Sequence, residues 1–337
     1  MNILLVGDPH LTDNPLDAYR WDLFKQIADI CKIDKITYVF ILGDGWDRKD
    51  RHSAKLVNQS IGALQWLSEQ GLETYVLAGN HDSPIYGGVH YWEFLNELDG
   101  VHYITKPEFL ENIEVWLLPF SSNPAEDWKD LKLELGKALL MHQTVAGALV
   151  ERDYKLEKGD KLPTLPNIPI YSGDVHRPQT LGNITYIGAP YPTRFGEDWE
   201  CHVLVTDTEN WKAKEIPLEN IRRLTMNVMS VDEVFQLLQG TRIGDQLRIR
   251  FYITQETFPR WAEIEKDIRD LVKVKEVQLL SLEAIFQQTF ERGSETAIAQ
   301  AGIEQISPEQ VVTLFADEEK LIPELKAMGL EIIKETL

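Results

Sequence analysis

The sequence predicts an α/β protein: a two-sheet sandwich flanked by helices, then a small α/β module and C-terminal helices. Three observations predict it. Short β-rich apolar runs alternate with helix-period segments through the first half; from residue 183 strands follow one another without helices; near residue 220 the pattern resets. With 337 residues, 43% of them hydrophobic and 26% charged, the chain can bury a core without disulfides, and its length suits two domains or one domain with an attachment.

The apolar runs are ILLVG at 3–7, TYVFILG at 37–43, TYVLAG at 74–79, EVWLLPF at 114–120, KALLMH at 137–142 and IPIYSG at 168–173. Each reads as a strand. A helix with Leu23, Phe24, Ile27, Ile30 and Cys31 on one face separates the first two, and one with Val57, Ile61 and Leu64 separates the next two. NITYIGAP, CHVLVTD and WKAKEIPL predict a second sheet in the same domain. RRLTMNVM opens a β-α-β-α-β module: Ser230 and Glu233 form a capping box, and QLRIRFYIT at 246–254 and KEVQLLSL at 275–282 flank a helix at 259–272. After 283 the chain reads helical and acidic, with a second capping box at Ser307–Gln310 and an apolar stripe of Leu325, Met328 and Ile332 that needs a mate. The expected divisions are 1–218, 219–285 and 286–337.

Composition narrows the function. No window approaches the ~18 apolar residues of a membrane span, and MNILLVGDPH lacks a basic start and a cleavage site, so a cytoplasmic protein with no membrane partner is expected. Cys31 and Cys201 are the two cysteines and read as buried free thiols. A net charge of −20 argues against holding nucleic acid by overall electrostatics. The charge is uneven: residues 221–280 hold ten Lys/Arg against nine Asp/Glu, whereas 301–337 hold eight acids against three lysines.

Metal-ligand residue types close five of the strands: Asp8 and His10, Asp44, Asn80-His81-Asp82, His142, and Asp174 with His176. One such strand end would mean a turn or a hydrogen-bonded histidine. Five, each at the C-terminal end of an apolar strand, converge on one sheet edge, where open α/β folds carry their sites. Residues i and i+2 of an extended chain point the same way, so Asp8 pairs with His10 and Asp174 with His176. Carboxylate, imidazole and amide oxygen together suit Mn²⁺, Mg²⁺, Fe or Zn rather than a thiolate-preferring ion.

This ordered set resembles the binuclear metallophosphoesterases, whose pattern runs D-x-H, GD, GNH[DE], an isolated His, and GHxH. The resemblance implies two divalent metal ions bridged by Asp44, one completed by Asp8, His10 and His176, the other by Asn80, His142 and residue 174. It implies His81 as general acid, with Asp82 orienting it. Two cations ~3.5–4 Å apart would activate a water and clamp an in-line displacement at phosphorus. The sequence departs at Asp174, where the family usually has His; a carboxylate hardens that position and favours Mn²⁺ first, with Mg²⁺ as the alternative.

Within that superfamily the chain resembles the SbcD-type nuclease subunits of double-strand-break repair, the meiotic-recombination-eleven-like group that includes phage recombination endonucleases. GDVHRPQ followed by GAPYPTRFGE parallels that family's GHxHxPQ and GSP…FGE run. The 219–285 module lies where the family has a DNA-contacting capping domain, and 286–337 where it docks on the coiled coil of an SbcC-type ATPase. What this implies is a metal-dependent DNA nuclease, acting as a homodimer with that ATPase. A nuclease needs a positive path to its metals: Arg48, Lys49, Arg51 and His52 follow Asp44, Arg177 follows His176, and Tyr191, Arg194 and Phe195 could grip backbone or stack on bases. RKDRH also reads as a solvated loop and Phe195 as core. A phosphoesterase for a small substrate and a catalytically silent scaffold are the alternatives; the scaffold would show eroded ligands, and here 174 alone departs.

Overall fold

The computed structural model describes residues 1–85, 87–150, 154–159, 162–254 and 257–286. In chain order it places β1 (Asn2–Val6), α1 (Asp22–Asp34), β2 (Tyr38–Ile41), α2 (Ala54–Glu69), β3 (Glu73–Leu77), β4 (Val101–Ile104), β5 (Glu108–Leu110) and β6 (Val115–Leu118). Next come α3 (Pro124–Asp127), β7 (Ala138–His142), β8 (Ile170–Gly173), β9 (Gln179–Leu181), β10 (Ile184–Tyr186), β11 (His202–Asp207) and β12 (Ala213–Pro217). The module follows as β13 (Arg223–Val228), α4 (Val231–Leu238), β14 (Gln246–Ile253), α5 (Trp261–Val274) and β15 (Gln278–Phe286). None of the described helices is long and apolar enough to cross a membrane.

Two six-stranded sheets form the sandwich, in the orders β12-β11-β1-β2-β3-β4 and β5-β6-β7-β8-β10-β9. Within each, the central strands run parallel: β1 to β4 in the first, β6, β7, β8 and β10 in the second. Alternation along the strands builds two layers at once. Ile3, Leu5, Phe40, Leu42 and Leu77 face Val115, Leu117, Leu140 and Tyr171 of the second sheet. Leu4, Val6, Val39, Ile41 and Val76 face the other way, onto Leu23, Phe24, Ile27 and Cys31 of α1 and Leu56, Leu64 and Leu67 of α2. The outer face of the second sheet is covered by Trp128 and Leu133. Central strands buried on both faces explain why these runs read as continuous apolar stretches.

The helix ends follow their sequence signals. Ser53 caps α2, its hydroxyl accepting the Leu56 amide at 3.1 Å, and Ser230 caps α4 through the Glu233 amide at 3.2 Å. The Glu233 carboxylate reaches back to the Met229 amide, 2.8 Å away, close to the reciprocal bond of a capping box.

One expectation needs correction. The three runs after 183 do not share a sheet: β10 joins the second sheet beside β8, while β11 pairs antiparallel with β1 and carries β12 at the edge of the first. Five consecutive buried residues in β11 suit an interior strand covered on both sides, whereas β12 is mostly exposed. Cys31 and Cys201 are free and buried, as their apolar settings predict. A compact unit of Met1–Tyr252 with Thr257–Ile285 holds both sheets and the three-stranded module sheet β13-β14-β15. The predicted helices beyond 286, with their capping box and apolar stripe, lie outside the described residues.

Candidate metal centre

The parallel strands of both sheets end at one place, and the ligand types of the sequence meet there. Asp8 and His10 follow β1, Asp44 follows β2, Asn80 and His81 follow β3, His142 ends β7, and Asp174 and His176 follow β8. Three of them hold left-handed backbone conformations, His10 (φ 42°), Asp44 (φ 47°) and Asp174 (φ 76°). Non-glycine residues rarely adopt that region, and such strain clusters at functional sites. Glycines make the close approach feasible. A Cβ on Gly43 would lie 2.1 Å from His142 Nδ1, and one on Gly79 would lie 2.2 Å from the Asp44 amide and carboxylate.

Asp44, buried at 3% exposure, stands between two groups. Its Oδ1 is 3.4 Å from His142 Nε2 and accepts the His81 amide at 2.8 Å, while its Oδ2 is 3.6 Å from His10 Nε2. On one side, His10 Nε2 and His176 Nε2 face each other at 2.9 Å. That is close to the ~3 Å edge of an octahedron with ~2.1 Å bonds. On the other side, His142 Nε2 is 3.6 Å from Asp174 Oδ1. Asp8 Oδ1, which accepts the Asp174 amide at 2.8 Å, lies 3.6 Å from His142 Nδ1. Candidate ligand atoms of Asp8, Asp44 and His142, and likewise of His10, Asp44 and His81, lie within 4.8 Å of one another.

The donor set fits divalent cations. Asp8 Oδ2, Asn80 Oδ1 and His142 Nε2 are buried without a hydrogen-bond partner, a costly state that a bound cation would relieve where they converge. The tautomers agree. His142 Nδ1 is 2.6 Å from the Leu42 carbonyl, which can only accept, so Nδ1 carries the hydrogen and the Nε2 lone pair faces the carboxylates. His176 Nδ1 donates to Glu197 Oε1 at 3.0 Å, which leaves its Nε2 toward His10. Burial holds the His10 pKa well below the ordinary 6.5. Burial opposes charge on His142 too, yet Asp44, Asp174 and Asp8 lift it well above 6.5.

Asp82 has a different role from the one expected. Fully buried, it accepts the amides of Gly79 (2.7 Å), Trp46 (3.3 Å) and Gly45 (3.4 Å), bracing the two loops that carry Asp44 and Asn80. The group that holds His81 is the Asp47 carbonyl, 2.9 Å from Nδ1 of this half-buried ring.

Glu197 is the residue that sequence reasoning left without a role. It holds His176 and also takes the Thr193 amide (2.5 Å), the Thr193 hydroxyl (3.0 Å) and the Arg194 amide (3.0 Å). It closes the GAPYPTRFGE run, so the signal was present.

The expected nucleic-acid contacts divide. Arg48, Lys49 and Arg51 are exposed; Arg48 and Arg51 line a cavity of about 450 Å³ beside Asp47. Arg194 is exposed and Arg177 half-buried. His52 is half-buried and lines the same cavity, its ring packed against Tyr91 and Trp92 and both nitrogens enclosed. Tyr191, 1% exposed, is a core residue whose hydroxyl donates to the Pro9 carbonyl, and it cannot stack on a base. Phe195 lies 4.4 Å beneath the Arg248 guanidinium.

Comparison with known proteins agrees with this geometry. The model of the calcineurin-like phosphoesterases matches residues 1–198. The chain is similar to exonuclease subunit 1 of Enterobacteria phage T4, 24% identical over 231 residues that cover 64% of this chain and 68% of that protein. It is also similar to the DNA double-strand break repair protein Mre11 of Sulfurisphaera tokodaii, 29% identical over 157 residues, 42% of this chain and 40% of that protein.

Proposed function

The chain belongs to the calcineurin-like phosphoesterase family of metal-dependent enzymes, and from that premise we propose that it is a DNA nuclease cleaving phosphodiesters by two-metal catalysis. The observation that carries the proposal is the cluster of buried Asp8, His10, Asp44 and His142 with half-buried Asp174 and His176, in which Asp44 offers one oxygen to each side. Bound there, two divalent ions, Mn²⁺ in this reading, would polarise the phosphoryl oxygens and supply a nucleophile at neutral pH. His10 and His176 with Asp8 and Asp44 would hold one ion; Asn80, His142, Asp174 and Asp44 would hold the other. His81, fixed through Nδ1 by the Asp47 carbonyl, protonates the leaving alkoxide from Nε2.

DNA as substrate is supported by the names of both relatives, a phage exonuclease subunit and a double-strand break repair protein. Arg48, Lys49 and Arg51 offer exposed phosphate contacts, interleaved with Asp47 and Asp50. In this reading the 219–285 module contacts DNA, an SbcC-type ATPase supplies the main DNA-binding groove and docks residues 286–337, and the chain works as a homodimer in DNA end processing, recombination and repair. The same net charge is the observation favouring a small phosphodiester instead.

The test is a comparison of linear duplex DNA, single-stranded DNA and a chromogenic phosphodiester as substrates with Mn²⁺, with and without such an ATPase. Faster DNA degradation, lost in Asp44→Asn, is expected. A preference for the chromogenic ester would move the assignment to small substrates, and wild-type rate and metal content in Asp44→Asn would remove it.

A further inference from the structure

We propose that Arg223 is a positioning residue that ties the seating of the small module to the His10 and His176 side of the metal centre; this rests on the metal reading above. Arg223 is the first residue of β13, and its side chain is only 10% exposed. Its guanidinium leaves the module and enters the sandwich, where Nη2 donates to Asp17 Oδ1 at 2.5 Å and Nη1 donates to the Thr193 carbonyl, while Nε is held by Gln246 Oε1 at 2.8 Å. A planar, always-charged fork is suited to fixing two partners at once.

Each of those partners leads to one histidine. The Asp17 carboxylate oxygen that meets Arg223 also meets Arg20 Nη2 at 3.3 Å, and Arg20 Nη1 donates to the His10 carbonyl at 2.5 Å. His10 is in the left-handed region (φ 42°), and the Arg20 bond to its carbonyl, with its own amide donating to the Asp44 carbonyl at 2.9 Å, pins that conformation. On the other branch, the Thr193 hydroxyl lies 3.0 Å from both His176 Nδ1 and Glu197 Oε1. The module grips this same loop a second time, through Arg248 over Phe195.

The opposite side of the centre is anchored differently. His142 is held by the Leu42 carbonyl, and Asp174 by the Thr144 hydroxyl and by its amide on Asp8. These anchors come from the sandwich itself. Displacing the module should therefore disturb one ion and spare the other, so a ligand that shifts the module would change the metal centre asymmetrically.

The experiment titrates Mn²⁺ into the chelator-stripped full chain, read by calorimetry and by electron paramagnetic resonance. Wild type should bind two ions, and Arg223→Gln should bind one of them about 10–100-fold more weakly with the other unchanged. Arg223→Lys, which keeps the charge beside Asp17 without the fork, should be intermediate, and it stands alone as the test if Arg223→Gln fails to fold. Arg222→Gln is the control, because Arg222 pairs with Asp245 at 2.6 Å and with the Gly240 carbonyl inside the module. It should lower the melting temperature and leave both ions in place. Wild-type affinity for both ions in the Arg223 variants, or an equal loss in Arg222→Gln, would overturn the inference alone. A wild-type chain that takes up no Mn²⁺ would overturn the metal reading with it.

Discussion

Replacing Glu197 by glutamine removes one charge and almost no volume, yet it should reach the metal centre. The carboxylate accepts on both sides, from His176 Nδ1 and from the Thr193 and Arg194 amides. Glutamine has one accepting oxygen. If that oxygen keeps the two amides, its NH₂ faces the His176 N–H, donor against donor, and the clash is relieved only when the imidazole moves its hydrogen to Nε2. The lone pair that faces His10 is then lost. A charge-assisted hydrogen bond contributes about 1.5–3 kcal/mol, which is roughly 10- to 150-fold in an equilibrium constant. Loss of such an outer partner generally weakens a metal site about 10–100-fold. Calorimetric titration of chelator-stripped Glu197→Gln with Mn²⁺ should show that loss for one of two ions, and nitrogen-15 spectra should show His176 carrying its hydrogen on Nε2. Two ions at wild-type affinity, with His176 still protonated at Nδ1, would refute the reasoning.

The same pair gives the metal-free protein a defined pH response. Burial pushes Glu197 up, but the His176 hydrogen bond and charge, with the Arg194 and Thr193 amides, bring it below the ordinary 4.5. Burial likewise disfavours charge on His176, but Glu197, Asp8 and Asp44 raise it above 6.5. The Glu197 contribution is present above pH 4.5 and lost as pH falls through its folded value; the His176 contribution is present below 6.5 and lost as pH rises through its folded value. The stability difference between wild type and Glu197→Gln should therefore peak between about pH 4.5 and 6.5 and shrink on either side.

Three further outcomes are expected. His81→Ala should retain two Mn²⁺ ions by titration while cleaving DNA ~10²–10⁴-fold more slowly; loss of an ion would make His81 a ligand instead. Asp174→Ala should lose the second ion, and Asp174→His should remain active with its pH optimum moved downward, since a neutral ligand leaves the ion a stronger Lewis acid; an unchanged rate and metal content in Asp174→Ala would make it a turn residue. Burial pushes both the Cys31 and Cys201 thiols up to about 12, so thiol reagents at pH 8 should label the native chain slowly and the unfolded chain twice; fast native labelling would show that one is accessible.

The strand ends were the legible part of this protein. Their residue types and order are those a cation would need, and buried parallel strands advertise themselves as unbroken apolar runs. Local pattern could not say which sheet a strand joins, because β10 and β11 are equally apolar and the choice is made by partners far away in the chain. It also could not separate Tyr191 and His52 from surface residues, since aromatic and imidazole side chains serve walls and substrates alike; what decides is packing on Arg20, Trp92 and Tyr91. Glu197 escaped because its partner is 21 positions away and is met only through folding.

The contribution of ligands by both sheets has a consequence for the order of events in synthesis. A nascent chain that has released the first sheet's central strands displays Asp8, His10, Asp44 and Asn80, but His142, Asp174 and His176 belong to strands made later and stacked against the face that carries Ile3, Leu5 and Leu77. No complete binding position exists until the two layers close. On the proposed two-ion reading, ion capture would be a late event that registers correct docking of the layers, and each ion would act as a clasp across them whose binding energy becomes folding energy. A chain stalled before β8 has emerged should leave the cell's pool of divalent ions untouched.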